Sequence, residues 1–265
     1  MESYLSGLRQ YHLAEGVKPP VFRTDIVKIV MEGWENMQDD KKLNTRYPCT
    51  PSILKLLKNQ LRLDNMDNST KIMIFAAATI GFFGGFRMSE LLSRQENSYD
   101  PKYTLLKQDV AINSTTVNGK KVRMLSIKLK NSKTSKSSEI VDVYENDSAI
   151  CPVKAYTKLS KTTKAMANDY PMFSNEKGKL LTVRKLNVHL HRLVNSKLTG
   201  CRGKVTAHSF RAGLTSIFGS LGYADEELKR FGRWSSRAFE LYIKSNRTKR
   251  AGVAKLSREI ANHLN

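Results

Sequence analysis

Cysteine is scarce in this chain. Cys49, Cys151 and Cys201 are the only three, they lie far apart, and no CxxC spacing occurs. Such a set supplies neither a disulfide framework nor a zinc knuckle, and a reducing, intracellular setting is the expectation. Seven prolines and 15 glycines are too few for a collagen-like or disordered chain. Long apolar runs are also missing: the longest, residues 72–86, is interrupted by Gly81, Gly84 and Gly85 and is too short to span a bilayer, so it predicts a buried helix. The opening Met1-Glu2-Ser3-Tyr4 lacks a basic region followed by an apolar one, which predicts no secretory leader. No P-loop and no acidic cluster with metal-ligand spacing is found, and no cofactor is expected. Acidic residues are the last shortage: 24 Asp and Glu stand against 45 Lys and Arg, a formal net charge of +21.

What is present is 265 residues, 40% of them hydrophobic, enough for one substantial core or a core with a small appendage. So large a positive excess calls for a polyanionic partner, and nucleic acid is the commonest one inside cells.

Hydrophobic periodicity divides the chain. Residues 4–13 and 25–34 repeat apolar side chains at helical spacing. Two helices in under 40 residues cannot bury a core of their own, so this segment either packs on the rest of the chain or is the tail of a domain whose beginning is absent, and a polar linker follows it. Thr50-Pro51-Ser52 carries an N-cap residue and a proline at the first helical position, with Ile53, Leu54, Leu57 and Leu61 on one face. Another helix is predicted from Asn68 to Phe83, then a glycine turn, then a helical segment over 88–94. Alternation over 110–116 and 122–130 around Asn118-Gly119 predicts a hairpin, with a third strand over 139–144 after the loop 131–138. Helical patterns return at 153–159, 183–198, 208–221, 225–231, 238–243 and 253–263. The expected class is α+β and mainly α, with a small three-stranded antiparallel sheet, and residues 46–265 form the main domain.

Three separated features place reactive groups in apolar surroundings. In Gly84-Gly85-Phe86-Arg87-Met88-Ser89-Glu90-Leu91, a guanidinium follows a buried helix and a glycine turn. Its donor fork suits a phosphate, and Glu90, one helical turn on, can hold it in place. An ordinary helix-start ion pair fits the same residues. In Ala207-His208-Ser209-Phe210-Arg211, imidazole and guanidinium share the first turn of a predicted helix, where free amides and the dipole favour an anion. In Phe231-Gly232-Arg233-Trp234-Ser235-Ser236, an indole donor precedes Tyr242, whose phenol is a nucleophile once its proton is accepted. Both aromatics also fit a plain core role. His189 and His191 form an HxH pair on a predicted helix but face different directions, and they read as surface residues and not metal ligands.

Taken in order, an arginine, a lysine loop after a strand, HxxR, a tryptophan and a tyrosine resemble the catalytic domain of the tyrosine recombinase, or phage-integrase, family. The likeness covers roughly residues 46–243 and includes Gly-Phe-Arg-Met-Ser-Glu-Leu, Ser-Lys-Thr, Cys151-Pro152-Val153 and Gly-Arg-Trp-Ser-Ser. The last two most resemble recombinases of eukaryotic mobile elements, of the crypton and tyrosine-recombinase retrotransposon groups. Residues 1–45 resemble the closing helices of the family's helical core-binding domain plus a linker.

The resemblance implies that Arg87 and Arg211 clamp the nonbridging oxygens of a scissile phosphate and that Lys133 protonates the departing 5′ oxygen, with Lys130 and Lys136 as competitors for that role. It implies that His208 accepts or relays a proton, that Trp234 donates through its indole where many relatives have histidine, and that Tyr242 attacks to leave a 3′-phosphotyrosine. Glu90 then supports Arg87 from behind. The tryptophan-to-tyrosine spacing is eight, where nine is usual among the phage enzymes. Paired guanidiniums that tighten on developing charge lower the barrier to phosphodiester cleavage, and the covalent link conserves bond energy for rejoining. The implied partners are double-stranded DNA and three further copies of the chain, a tetramer on two duplexes joined by exchange of the C-terminal helix, in the nucleus if the host is eukaryotic. A nicking and resealing enzyme of the type IB topoisomerase kind and a DNA-binding relative without catalysis are the alternatives.

Overall fold

The fold is built outward from a helix that is apolar on every side. The computed structural model describes residues 2–17, 27, 47–117, 119–130, 139–198 and 203–233. It divides the chain into two units, Met1–Asn44 and Thr45–Asn265. In the first, α1 (Glu2–Ala14) is the predicted first helix, and the second, over 25–34, lies outside the described residues except for the helical Val27.

In the second unit, α2 (Pro51–Leu63) starts where the sequence places it. The Thr50 hydroxyl accepts from the Ile53 N–H at 3.3 Å, and Ile53, Leu54, Leu57 and Leu61 are the buried face. Each such side chain contributes on the order of 2 kcal/mol when fully buried. The following helix, α3 (Asn68–Phe83), is capped by Asp67, whose carboxylate accepts from the Thr70 N–H at 2.9 Å and the Ser69 hydroxyl at 2.6 Å. Met73, Ile74, Ala76, Ala77, Ala78, Ile80 and Phe82 of α3 are all buried. A helix without a polar face has to be surrounded. Helices α2, α5 (Pro152–Thr162) and α7 (Ser209–Ser220) pack against it. Cys151 caps α5, its Sγ accepting from the Lys154 N–H at 3.5 Å.

Strands β1 (Val110–Val117), β2 (Lys120–Leu129) and β3 (Glu139–Tyr144) form an antiparallel sheet in the order β1-β2-β3. The register runs from Val110 opposite Ile127 to Val117 opposite Lys120, and Leu129 opposite Glu139 to Met124 opposite Tyr144. Leu125, Ile127, Leu129 and Val143 are its core-facing residues. The predicted class and sheet are therefore those observed.

Two predicted helices end early, each for a reason elsewhere in the chain. Helix α4 (Met88–Leu91) does not reach residue 94, because Leu92 turns extended and Ser93 pairs with Thr182. Helix α6 (Val183–Leu193) gives way to a 3₁₀ turn, Asn195–Lys197, where the Asn195 amide exchanges hydrogen bonds with Val205 at 2.8 and 3.0 Å. Helix α8 (Asp225–Gly232) runs as predicted to within a residue. The predicted helices over 238–243 and 253–263 lie outside the described residues.

The start of α7 is fixed against the chain entering α2. The Cys49 N–H donates to the Ser209 carbonyl at 2.8 Å and the Tyr47 N–H to the Lys204 carbonyl at 3.0 Å. Gly213, one turn into the helix, lies so close that a Cβ there would sit 1.7 Å from the Cys49 carbonyl oxygen. Only glycine permits that approach.

Candidate active site

Arg87 is delivered by a tight turn at the end of α3. Gly85 takes a left-handed φ of 57°, and Phe86 folds back so closely that a Cβ on Gly84 would meet its ring at 2.1 Å. Arg87 becomes the N-cap residue of α4 and Glu90 its third residue. The Glu90 carboxylate reaches back along that single turn. Its Oε2 accepts the Arg87 backbone N–H at 2.9 Å, and its Oε1 accepts Arg87 Nη1 at 3.1 Å. The expected support of Arg87 by Glu90 is thus present, with the Arg87 side chain 40% exposed and Glu90 13%.

His208 and Arg211 open α7, as N-cap and third residue. Their environments differ sharply: His208 is exposed, whereas Arg211 is 6% exposed. Arg211 Nη2 donates to the Gly232 carbonyl and, at 3.4 Å, to that of Arg233. Both carbonyls belong to the end of α8, so the start of one helix is tied to the end of the next.

Arg233, to which the sequence reading gave no role, joins these parts. It follows Gly232 in the left-handed conformation, with φ 49° and ψ 47°. Its side chain, 11% exposed, crosses to the Arg87 turn. Nη2 donates to Glu90 Oε2 at 2.6 Å, Nη1 donates to the Gly84 carbonyl at 3.3 Å, and the guanidinium lies 4.8 Å above the Phe86 ring centre. Its Nε also lies 3.5 Å from Glu139 Oε2, at the first residue of β3. The structure therefore brings Arg87, Glu90 and Arg211 together through Arg233. No sequence signal singled it out, because the predicted helix ends at residue 231 and is followed by Gly232, the usual occupant of that position.

Lys133, Trp234 and Tyr242 lie outside the described residues, as does Lys136. The ends of the lysine loop are described. Lys130, a competitor for the lysine role, is engaged elsewhere: Nζ pairs with Asp109 Oδ2 at 3.0 Å and donates to the Pro101 carbonyl at 2.6 Å. Glu139, at the other end, meets Arg233 as above.

Electrostatically the cluster sets three guanidiniums against one buried carboxylate, Glu90, and one half-exposed carboxylate, Glu139. Glu90 is saturated by two arginines, and three guanidiniums against two carboxylates leave a positive excess, of which Arg87, 40% exposed, is the part open to solvent. The HxH pair takes no part in it. His191 is exposed and His189 is half-buried, a departure from the expected surface position. Burial, reinforced by Arg192, pulls the His189 imidazole below its ordinary range, and its Nδ1 is buried without a partner. Among the described residues no group of three or more His, Cys, Asp or Glu is placed to hold a metal ion. None of the described helices is long and apolar enough to cross a membrane.

This arrangement sits on the fold of the tyrosine-recombinase catalytic domain. Among solved structures, the XerH site-specific recombinase bound to a palindromic difH substrate, in a post-cleavage complex, is similar at TM-score 0.56 and 17% identity, over 80% of this chain and 53% of that one. A lambda integrase dimer bound to a COC′ core site is similar at TM-score 0.50 and 12% identity, over 75% of this chain and 59% of the other. The FLP recombinase in a Holliday junction complex is similar at TM-score 0.50 and 17% identity, over 83% and 54%. The chain thus spans between half and two thirds of these proteins' lengths. No family model matches the sequence, and no curated protein does.

Proposed function

We propose that this chain is a tyrosine-type site-specific DNA recombinase, from a mobile element, that cuts and rejoins duplex DNA through a 3′-phosphotyrosine. Arg87 and Arg211 hold the nonbridging oxygens of the scissile phosphate and stabilise the charge that grows on them as the phosphorus becomes five-coordinate. The Tyr242 oxygen attacks phosphorus, its proton passing toward His208, while the bond to the 5′ oxygen breaks and Lys133 supplies that oxygen with a proton. Trp234 donates its indole N–H to the phosphoryl group. Rejoining runs the same steps backwards, with a 5′ hydroxyl as nucleophile and tyrosine as leaving group. Strand exchange then needs two duplexes and four protomers, linked through the C-terminal helix.

The observation that carries this reading is the junction of Arg87 with Arg211, 124 residues apart by number (211 − 87), through Glu90 and Arg233 on this particular fold. Two arginines from distant segments, held by partners that leave a positive excess, are what a phosphodiester needs at its nonbridging oxygens. The +21 charge supports a duplex partner.

A nicked suicide duplex, made from DNA flanking the encoding element, tests it. The short 5′-hydroxyl fragment diffuses away after attack, so covalent protein–DNA product accumulates and survives denaturing electrophoresis. Loss of that product in Arg87→Ala and Arg211→Ala, with duplex binding retained, is the expected result. Exchange of strands between two labelled duplexes distinguishes a recombinase from a nicking and resealing enzyme. Tight binding with no covalent product from any such duplex would leave a DNA-binding protein.

A further inference from the structure

We infer that Arg233 is a positioning residue that sets both phosphate-holding arginines, Arg87 through its side chain and Arg211 through its main chain. The inference rests on the recombinase reading above and adds to it a residue that makes no contact with DNA in its own right.

The backbone of Arg233 is unusual for a residue that carries a side chain. A residue directly after a helix in the left-handed conformation is usually glycine, because a Cβ is disfavoured there. Arg233 is the one non-glycine residue with positive φ among the described residues. A Cβ in that conformation carries a conformational cost, which the contacts of the side chain have to offset.

The Arg233 side chain is directed into the protein. It does not turn to solvent, being 11% exposed, and its donors are directed at three separate segments. Nη2 reaches Glu90, the carboxylate that also holds the Arg87 backbone and guanidinium. Nη1 reaches the Gly84 carbonyl in the turn that aims Arg87. Nε faces Glu139, where the chain leaves the 131–138 loop and enters β3. The Phe86 ring closes the remaining face at 4.8 Å.

The main chain of the same residue meets the other arginine. The Gly232 and Arg233 carbonyls accept from Arg211 Nη2. Because the Arg233 side chain is anchored on the α4 side, its main chain is fixed in space, and Arg211 is fixed with it. Trp234 is the next residue. One residue therefore couples the Arg87 turn, Arg211 and Glu139, the first residue of β3.

Arg233→Gly separates positioning from mere structure, since glycine accepts the left-handed backbone and leaves the helix end intact while deleting the side chain. With the suicide duplex at saturating protein, Arg233→Gly is expected to slow covalent product formation about 100-fold, the scale of loss when reacting groups are misplaced by an ångström. Duplex affinity stays within about twofold, because Arg233 is turned inward, so the loss falls on the rate and not on binding. Arg233→Lys, which restores the charge but not the fork, recovers part of the rate. Combined with Glu90→Gln, the loss is no larger than that of the more severe single variant, as for groups acting as a unit. Wild-type rate in a folded Arg233→Gly protein, or losses that simply add, would overturn the inference.

A second readout uses the free protein without any chemistry. Rotation of the Arg211 guanidinium about its Cζ–Nε bond, followed by ¹⁵N NMR of the Nη groups, is slow in wild type and faster in Arg233→Gly. If wild type forms no covalent product yet this difference is seen, the recombinase reading fails and the positioning network stands. If wild type forms product and Arg211 rotates alike in both proteins, the recombinase reading stands and the inference fails.

Discussion

Glu90 Oε2 lies 2.6 Å from Arg233 Nη2, across 143 residues of sequence, while the same carboxylate holds Arg87 within its own helical turn. A carboxylate shared in this way has two jobs. It neutralises part of the repulsion between two guanidiniums, and it converts a local helix-start ion pair into a long-range tie between the end of α3 and the end of α8.

Glu90→Ala removes one partner of a nearly buried pair and leaves Arg233 with only the more exposed Glu139, at 3.5 Å, as a counter-charge among the described residues. The expected loss of stability is about 3 kcal/mol, read as a lower urea midpoint with an unchanged m-value. Glu90→Gln keeps two acceptor positions' worth of shape but only one carbonyl oxygen, and it falls between wild type and alanine. A Glu90→Ala protein as stable as wild type would mean that the pair makes no net contribution.

Much of this fold is written locally. Thr50-Pro51 marks a helix start because capping and the fixed proline φ act within one turn, and β2 shows in its alternation because Leu125, Ile127 and Leu129 on one face meet the core, whereas in β1 only Val110 is buried and Ile112 and Val117 are exposed. Arg87, Glu90, His208 and Arg211 were legible as residue types at helical spacing. Arg233 was not, because its partners Glu90 and Gly84 lie 143 and 149 residues away, and no periodicity reports a contact of that kind. The early ends of α4 and α6 were hidden for the same reason: the pairing of Ser93 with Thr182 and of Asn195 with Val205 stops them from outside.

Gly213→Ala tests the docking of α7. The added Cβ would meet the Cys49 backbone, which no rotamer change can move aside. The expected cost is about 3 kcal/mol, seen as a drop in the urea midpoint. Alkylation provides a second readout. Burial pushes the Cys49 thiol far above its ordinary range, so it resists iodoacetamide in the native protein and becomes reactive in Gly213→Ala. Equal resistance in both proteins would show that the contact yields without cost.

His189 provides a pH dependence with a definite sign. Burial lowers its folded pKa below the ordinary 6.5, so below that value the unfolded chain binds the proton more readily than the folded one. Its contribution to stability is present above pH 6.5 and is lost as pH falls through the folded pKa. A ¹H–¹⁵N titration of the imidazole is expected to show a midpoint under 6.5, and His189→Gln is expected to flatten this part of the stability profile. A midpoint at or above 6.5 would contradict the burial.

Duplex binding is expected to be steeply salt dependent. With about 6–10 phosphate contacts, affinity falls roughly 10³–10⁵-fold between 50 and 200 mM salt. A plot of log affinity against log salt, taken by fluorescence anisotropy, checks this. A slope near zero would remove phosphate neutralisation as the source of binding.

The most direct test concerns the bond itself. Covalent product trapped on a suicide duplex, digested with protease and nuclease, should yield a peptide carrying a nucleotide 3′-phosphate on Tyr242, and Tyr242→Phe should yield none while still binding the duplex. A nucleotide found on a different residue, or covalent product undiminished in Tyr242→Phe, would contradict the assignment of the nucleophile and with it the proposed course of cleavage.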